Sequence, residues 1–452
     1  MANFTRRSFF VKTYIKMESK CVLIGSNGIN MGCGVIAMAL EDILVKRGYY
    51  CIHLGSGTSG ELIKQTNREY RGILGYTEVY SRNKINHVAC VVDYLVKNMC
   101  FVFSPSQMQS IVNDTLAKHD VVAYISVYES IGSYWAYYSG VPVIEISDML
   151  FFKKNLHLCT NSERDYEKEY NIGLNLAMTP YDYGQAITLV PEEVVDCDLA
   201  KGMSNIEVVV PYLPNDIKNT PPLPLTKRDR VTVYVSGASD KCKWLYPLFS
   251  SMVEHNFYIY IPIGEPPCEI GNCAHINFIP VNRDSFIKSI QRSYVVVTNS
   301  GMQLAAELRY LHVRNFAFPT QNHHAQCAVA ESIERNHLGV ACLLEIANKS
   351  KRSCSLVGKL HNYLNESKSF SSTNHAGYMQ YNTDLLISEK NKQEEHLLNV
   401  INIASKLKKN PRWGQYHTRV FLTLLPFLCV FILLFLIVFV IIRKRKQKNK
   451  PV

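Results

Sequence analysis

Apolar and polar positions along the chain alternate between two element types. Lys20–Ser26 (KCVLIGS) is a short apolar run ending in small residues, a helical stretch is predicted over 35–46, and 49–55 (YYCIHLG) returns to strand character. Further buried strands are predicted at 121–127 and 141–146, with a helix over 130–139 between them. Strands that are apolar throughout belong to parallel sheets covered by helices on both faces. After an N-terminal extension (1–19), residues 20–210 therefore read as a doubly wound α/β domain. Residues 211–230 carry Pro211, Pro214, Pro221, Pro222 and Pro224 and can join neither a helix nor a central strand, which predicts an interdomain linker.

Strand runs resume at 231–235, 258–263, Ile276–Pro280 and 294–298, giving a second α/β unit over 231–346. Residues 347–384 lose periodicity, become rich in Ser and Asn, and predict a polar insertion or loop. Over 385–410, Leu397, Leu398, Val400, Ile401 and Ile403 recur among charges, which predicts a helix packing back on the body. Residues 420–442 contain no charge over 23 positions. A helix of that length rises about 35 Å and spans a bilayer core of about 30 Å, so a single transmembrane helix is expected, followed by a basic tail over 443–452.

The length of 452 residues suits two core-bearing domains with appendages, and 47% hydrophobic content with 19% charge excludes disorder over most of it. The formal charge of +11 is concentrated at the ends. Arg6, Arg7, Lys12 and Lys16 open the chain, Lys406, Lys408, Lys409, Arg412 and Arg419 precede the apolar run, and Arg443, Lys444, Arg445 and Lys446 follow it. Such flanking charge serves topology and lipid headgroups, and no nucleic-acid reader motif accompanies it, so nucleic acid is not an expected partner. The N-terminus lacks a signal-type apolar run, and the 14 Cys show no CxxC pair. Both features predict a body on the cytosolic side of the membrane. The sequons at Asn3, Asn113, Asn348 and Asn365 and the basic tail leave a lumenal body as the alternative.

Chemistry concentrates at the ends of strands. Val295-Val296-Val297-Thr298 runs into Asn299-Ser300-Gly301-Met302, where a helix is expected to open, and Glu307 follows two helical turns later. Free N–H groups and the positive end of the helix dipole suit an anion at Ser300, Gly301 and Met302. A carboxylate at Glu307 can accept two hydrogen bonds from a ribose diol, or pair instead with Arg309. Ser236-Gly237 ends the first strand of the same unit and allows close backbone approach. Adjacent His323 and His324 point apart, and no further His or Cys recurs at ligand spacing, so no metal site is predicted.

The strand, Ser-Gly turn, Glu307, Pro319 and Gln326 resemble the nucleotide-sugar half of GT-B glycosyltransferases. The likeness is to the group around the bacterial lipid-linked N-acetylglucosaminyltransferase and the UDP-glucuronosyltransferases. It covers residues 229–345 well and 20–150 loosely. The resemblance implies two Rossmann-like domains with a donor cleft between them. It implies donor binding by Ser236, Gly237, Ser300, Gly301, Met302, Glu307 and Gln326, and an acceptor-side loop of Gly28, Asn30, Gly32 and Gly34. Many members carry a histidine base where Cys33 stands, and a thiol with a pKa of about 8.5 is a weaker base at neutral pH. Glu129 and Asp148, each just past a strand, are the alternative bases.

The function so implied is a membrane-anchored transferase moving a sugar from a nucleotide donor, UDP-linked, to a lipid or other membrane-associated acceptor. The donor is a substrate and no cofactor is expected. A catalytically inactive module that binds nucleotide sugar or recruits a partner, and a sugar-nucleotide epimerase, are the rival readings.

Overall fold

The computed structural model describes residues 20–28, 31–73, 75, 80–81, 84–85, 89–90, 92–93, 114–148, 186–192, 205–235, 245–261, 273–320, 323–342, 352–369 and 392–409. The N-terminal extension (1–19), Asn30, Ser236, Gly237, the apolar run 420–442 and the tail 443–452 lie outside these residues. Among the described residues no helix is long and apolar enough to cross a membrane.

The first unit is a parallel sheet of seven strands in the order β3-β2-β1-β6-β7-β8-β9. Its strands are β1 (Lys20–Ser26), β2 (Tyr50–Gly55), β3 (Tyr70–Gly72), β6 (Asp120–Val127), β7 (Val143–Ile146), β8 (Ile187–Pro191) and β9 (Ile206–Val209). A two-residue-per-strand hairpin, β4 (Tyr80–Ser81) with β5 (Lys84–Ile85), lies between β3 and β6 in sequence. Helix α1 (Met31–Lys46) follows β1, α2 (Gly57–Lys64) follows β2, and α3 (Ile131–Tyr138) joins β6 to β7. The strands have continuous apolar runs because helices cover both sheet faces: Val22 and Ile24 enter one core cluster, while Cys21 and Leu23 enter another.

The second unit repeats the plan with six parallel strands in the order β12-β11-β10-β13-β14-β15. These are β10 (Arg230–Tyr234), β11 (Phe257–Ile261), β12 (Ile276–Pro280), β13 (Ser293–Thr298), β14 (Arg314–Ala317) and β15 (Gly339–Ala341). In both sheets the strand order reverses beside the first strand, at β1/β6 and at β10/β13. Ligands of open α/β sheets bind at such switch points, beyond the carboxyl ends of the strands. The expected pair of doubly wound parallel domains is therefore present.

Three expectations need correction. Helix α1 begins at Met31, so Gly32, Cys33 and Gly34 belong to its first turn and not to a loop. A Cβ on Gly34 would sit 3.1 Å from the Ser59 carbonyl oxygen, so the glycine lets α1 and α2 approach. The segment expected as a polar loop contains α9 (Arg352–Ser369), whose Leu360, Tyr363 and Leu364 enter the second core. Spacing of i, i+3, i+4 puts those three on one face, which outweighs the Ser/Asn content of the other. The linker is also structured. It forms one turn of helix, α4 (Asn215–Lys218), and buries Tyr212, Leu213 and Ile217.

Among the described residues the second unit also has four helices: α5 (Tyr246–Phe249), α6 (Arg283–Gln291), α7 (Met302–Tyr310) and α8 (His324–Arg335). The chain then returns to the first unit. Helix α10 (392–405) places Leu397, Val400, Ile401 and Ala404 in the same core cluster as α1.

Candidate functional site

The two switch points face one another, and a cavity of about 140 Å³ lies between them. The first unit contributes Asn27 after β1, the opening of α1 (Met31, Gly32, Cys33 and Ile36), Tyr128 after β6 and Asp148 after β7. The second contributes Tyr234 at the end of β10, the segment 299–304, and His323, Ala325, Gln326 and Val329 around the start of α8.

The turn after β13 is shaped for an anion. Ser300 adopts φ 60°, a left-handed conformation rare for a residue with a side chain, and its N–H donates to Thr298 Oγ1 at 3.1 Å. The α7 ladder starts with Ala305 N–H donating to the Gly301 carbonyl at 2.9 Å. The N–H groups of Met302, Gln303 and Leu304 thus have no acceptor within the helix and carry the positive end of its dipole. The Ser300 hydroxyl is buried beside them without a hydrogen-bond partner. A Cβ built on Gly301 would meet nothing within 4 Å, so the turn leaves open space there.

Helix α8 presents a second N-terminus. Its N-cap is His323, whose Nδ1 accepts the Gln326 N–H at 3.4 Å. The Gln326 side chain is oriented in turn: its Oε1 accepts the Thr320 N–H at 2.7 Å, leaving the amide Nε2 as the donor.

The candidate bases separate in space. Glu129 does not line the cavity. Its carboxylate caps α3 by accepting the N–H groups of Ile131 at 2.6 Å and Gly132 at 2.8 Å, and it also takes the Tyr124 hydroxyl. Burial pushes this carboxyl up to about 7 against the pull of those donors. Asp148 does line the cavity, is fully buried, and neither carboxylate oxygen makes a hydrogen bond of full geometry. Burial pushes it up to about 7, with the neighbouring Tyr128 hydroxyl pulling the other way. Tyr128 itself sits at φ 54°, and its phenol is held far above its usual pKa by burial, then by Asp148 and Cys33. Tyr128, Cys33 and Asp148 therefore form one electrostatic cluster at the cavity wall. The Tyr128 hydroxyl also lies 3.9 Å from Met302 Sδ across the cleft.

Glu307 is buried behind the cavity wall rather than lining it. Arg283 forks onto it, Nη2 to Oε1 at 2.9 Å and Nη1 to Oε2 at 3.1 Å, and Gln303 Nε2 adds 3.2 Å. The same guanidinium holds Asp216 of α4, Nε to Oδ2 at 2.9 Å. The expected rival partner, Arg309, instead reaches Glu192 of the first unit at 2.8 Å. Gly32 and Cys33 border the cavity, whereas Gly28 and Gly34 serve packing: a Cβ on Gly28 would fall 2.5 Å from the Ser56 carbonyl oxygen. Among the described residues no group of three His, Cys, Asp or Glu side chains could hold a metal ion.

A family model described as glycosyl transferase family 1 matches residues 20–353. The chain belongs to that family. It is a glycosyltransferase of GT-B type, in agreement with the resemblance read from the β13–α7 motif. No curated protein sequence matches it. Several solved structures share its fold. One is Phytolacca americana UGT2 complexed with UDP-2fluoro-glucose and pterostilbene, at 14% identity and TM-score 0.59, covering 87% of this chain and 100% of that one. Another is LpCGTa in complex with UDP, at 12% identity and TM-score 0.58, covering 85% and 99%. A third is the glycotransferase of kitacinnamycin, at 14% identity and TM-score 0.56, covering 86% and 99%.

Proposed function

We propose that this family 1 glycosyltransferase moves a sugar from a UDP-linked donor to a hydroxyl or amine by direct displacement, with Asp148 as general base. The observation that carries this reading is the juxtaposition across one cavity. A buried carboxylate, neither of whose oxygens makes a hydrogen bond of full geometry, faces two helix N-termini and an unpartnered serine hydroxyl. The helix ends suit a diphosphate, whose negative charge grows as the sugar leaves. Asp148 suits the acceptor side, where a proton is lost as the acceptor oxygen attacks, and a base with pKa near the working pH is the effective one. Gln326 is placed to donate its amide to a sugar hydroxyl. UDP is favoured over other nucleotides because two of the structurally similar enzymes are described with UDP or a UDP-sugar.

The same reading assigns Cys33 to shaping the wall beside Asp148. Glu307 fixes α7 through Arg283, and reaches the ribose only if that fork shifts. The apolar run 420–442 anchors the enzyme and favours a membrane-associated acceptor such as a polyprenyl or sterol alcohol, since tethering raises local concentration. Its body is assigned to the cytosolic face, and protease protection of the body in sealed microsomes would reverse that assignment.

The test is incubation of the full chain with a panel of UDP-sugars. UDP release, accelerated by a lipid alcohol, is the expected result. Epimerised sugar without UDP release, or no turnover of any UDP-sugar, would overturn it.

A further inference from the structure

We propose that Tyr128 is a positioning residue for Asp148, its hydroxyl holding that carboxyl group in place both before and after it takes the proton of the acceptor. The inference rests on the general-base reading of Asp148 and gives that base a partner.

Strand pairing brings the two residues together. β6 and β7 pair in parallel as far as Val127 and Ile146, and the Tyr128 N–H extends the ladder by donating to the Ile146 carbonyl at 3.3 Å. Asp148 follows Ile146 by two positions, so both side chains leave neighbouring strand ends, and both line the cavity. Tyr128 stands at φ 54°, a left-handed conformation that a tyrosine keeps only where its surroundings enforce it, and such residues cluster at active sites. Among the described residues its hydroxyl is the side-chain donor within reach of the Asp148 carboxylate, in a contact short of full hydrogen-bond geometry. Met302 Sδ of the other unit, 3.9 Å from the same hydroxyl, is a second acceptor for it.

A phenol has one proton to give and lone pairs to receive with, so it can serve a carboxyl group in either state. While Asp148 is ionised, the Tyr128 O–H donates to it, because a carboxylate is a stronger acceptor than a thioether. As the acceptor oxygen bonds to the anomeric carbon, its proton passes to Asp148, and the electron pair of the breaking bond leaves with the diphosphate. The Asp148 O–H then donates to the Tyr128 oxygen, and the phenol proton turns to Met302 Sδ. Tyr128 keeps its proton throughout, since burial and the charge of Asp148 hold its pKa far above the usual value. The carboxyl group thus keeps one orientation through the cycle.

The test is the pH dependence of UDP release by the full chain in detergent, comparing wild type with Tyr128→Phe, Met302→Leu and Asp148→Asn. The other titratable side chains bordering the cavity are Cys33 on α1, Tyr234 at the end of β10 and His323 at the mouth of α8, and these changes leave all three in place. Tyr128→Phe removes the donor that opposes burial at Asp148, so the rise in rate centred near pH 7 should move up by about one unit. Its plateau should fall by about 10-fold, with KM for the UDP-sugar unchanged. Met302→Leu leaves the phenol proton without an acceptor once Asp148 is protonated, so it should move the same rise down by about half a unit. Superimposable melting curves will confirm each fold, and Met302→Leu carries the test if Tyr128→Phe does not fold. A pH profile unmoved in either folded variant would make Tyr128 a packing residue and overturn the proposal. Full activity in Asp148→Asn would instead remove the base itself, and the role of Tyr128 with it.

Discussion

Replacing Asp148 by Asn should make the protein more stable and much less active, with both effects tied to pH. In the native state burial raises this carboxyl from its ordinary value of 3.8 to about 7. The folded protein therefore binds a proton that the unfolded chain has released, and stability falls as pH rises from about 4 to about 7. A shift of about three units at 1.36 kcal/mol each amounts to about 4 kcal/mol of destabilisation above pH 7. The amide introduced by the substitution never ionises, though burying it without a full set of partners costs about 1–3 kcal/mol. The net gain from Asp148→Asn is then about 1–3 kcal/mol at pH 8, shrinking to nothing or reversing near pH 4. Urea unfolding of both proteins at pH 4, 6 and 8 measures it. In parallel, UDP release by the wild type should rise with pH through about 7 and level off above it, and Asp148→Asn should lose roughly 10²- to 10⁴-fold. Parallel stability curves for the two proteins would show that Asp148 ionises as it does in water. A variant with full activity would remove it as the base.

Two further substitutions separate architecture from ligand contact. Glu307→Gln breaks a buried pair with Arg283 and should cost about 3 kcal/mol in denaturant unfolding. If Glu307 also meets the ribose, the variant should lose any preference for UDP over 2′,3′-dideoxy-UDP, and an unchanged preference would confine it to scaffolding. Ser300→Gly relieves a left-handed backbone and a buried unsatisfied hydroxyl, so melting should rise by about 1 kcal/mol equivalent while UDP binding weakens. A fall in stability with unaltered UDP affinity would contradict both halves of that expectation.

The strands were legible because helices on both sheet faces make them uniformly apolar, and β13 with its Ser-Gly turn could be placed almost to the residue. The start of α1 was not, since Gly32 and Gly34 look like loop residues until the close approach of Ser59 supplies a reason for the missing side chain. Helix α9 was hidden by its own polar face. At the site, sequence could nominate Glu129 and Asp148 as equals, each a short step beyond a strand. What distinguishes them is the direction each carboxylate takes. Glu129 turns onto the start of α3, whereas Asp148 borders the cavity. Glu307 was visible as a carboxylate, but Arg283 lies 24 residues earlier and comes beside it only through the packing of α6 on α7.

The buried Arg228 bears on how substrate enters. Its guanidinium donates to the carbonyls of Leu223, Leu311 and His312, riveting the second half of the linker to the second unit. The Asp216–Arg283 pair does the same for α4. The first crossing of the chain between the units is thereby shortened to the few residues around 210–214, and the second runs from α9 to α10. A first crossing this short is a hinge point, where a few residues absorb any rotation of one unit against the other. The cavity of about 140 Å³ between the units lies where such a rotation would widen or narrow it. The Tyr128–Met302 contact and the Arg309–Glu192 ion pair both bridge the units and would have to give for the cleft to widen.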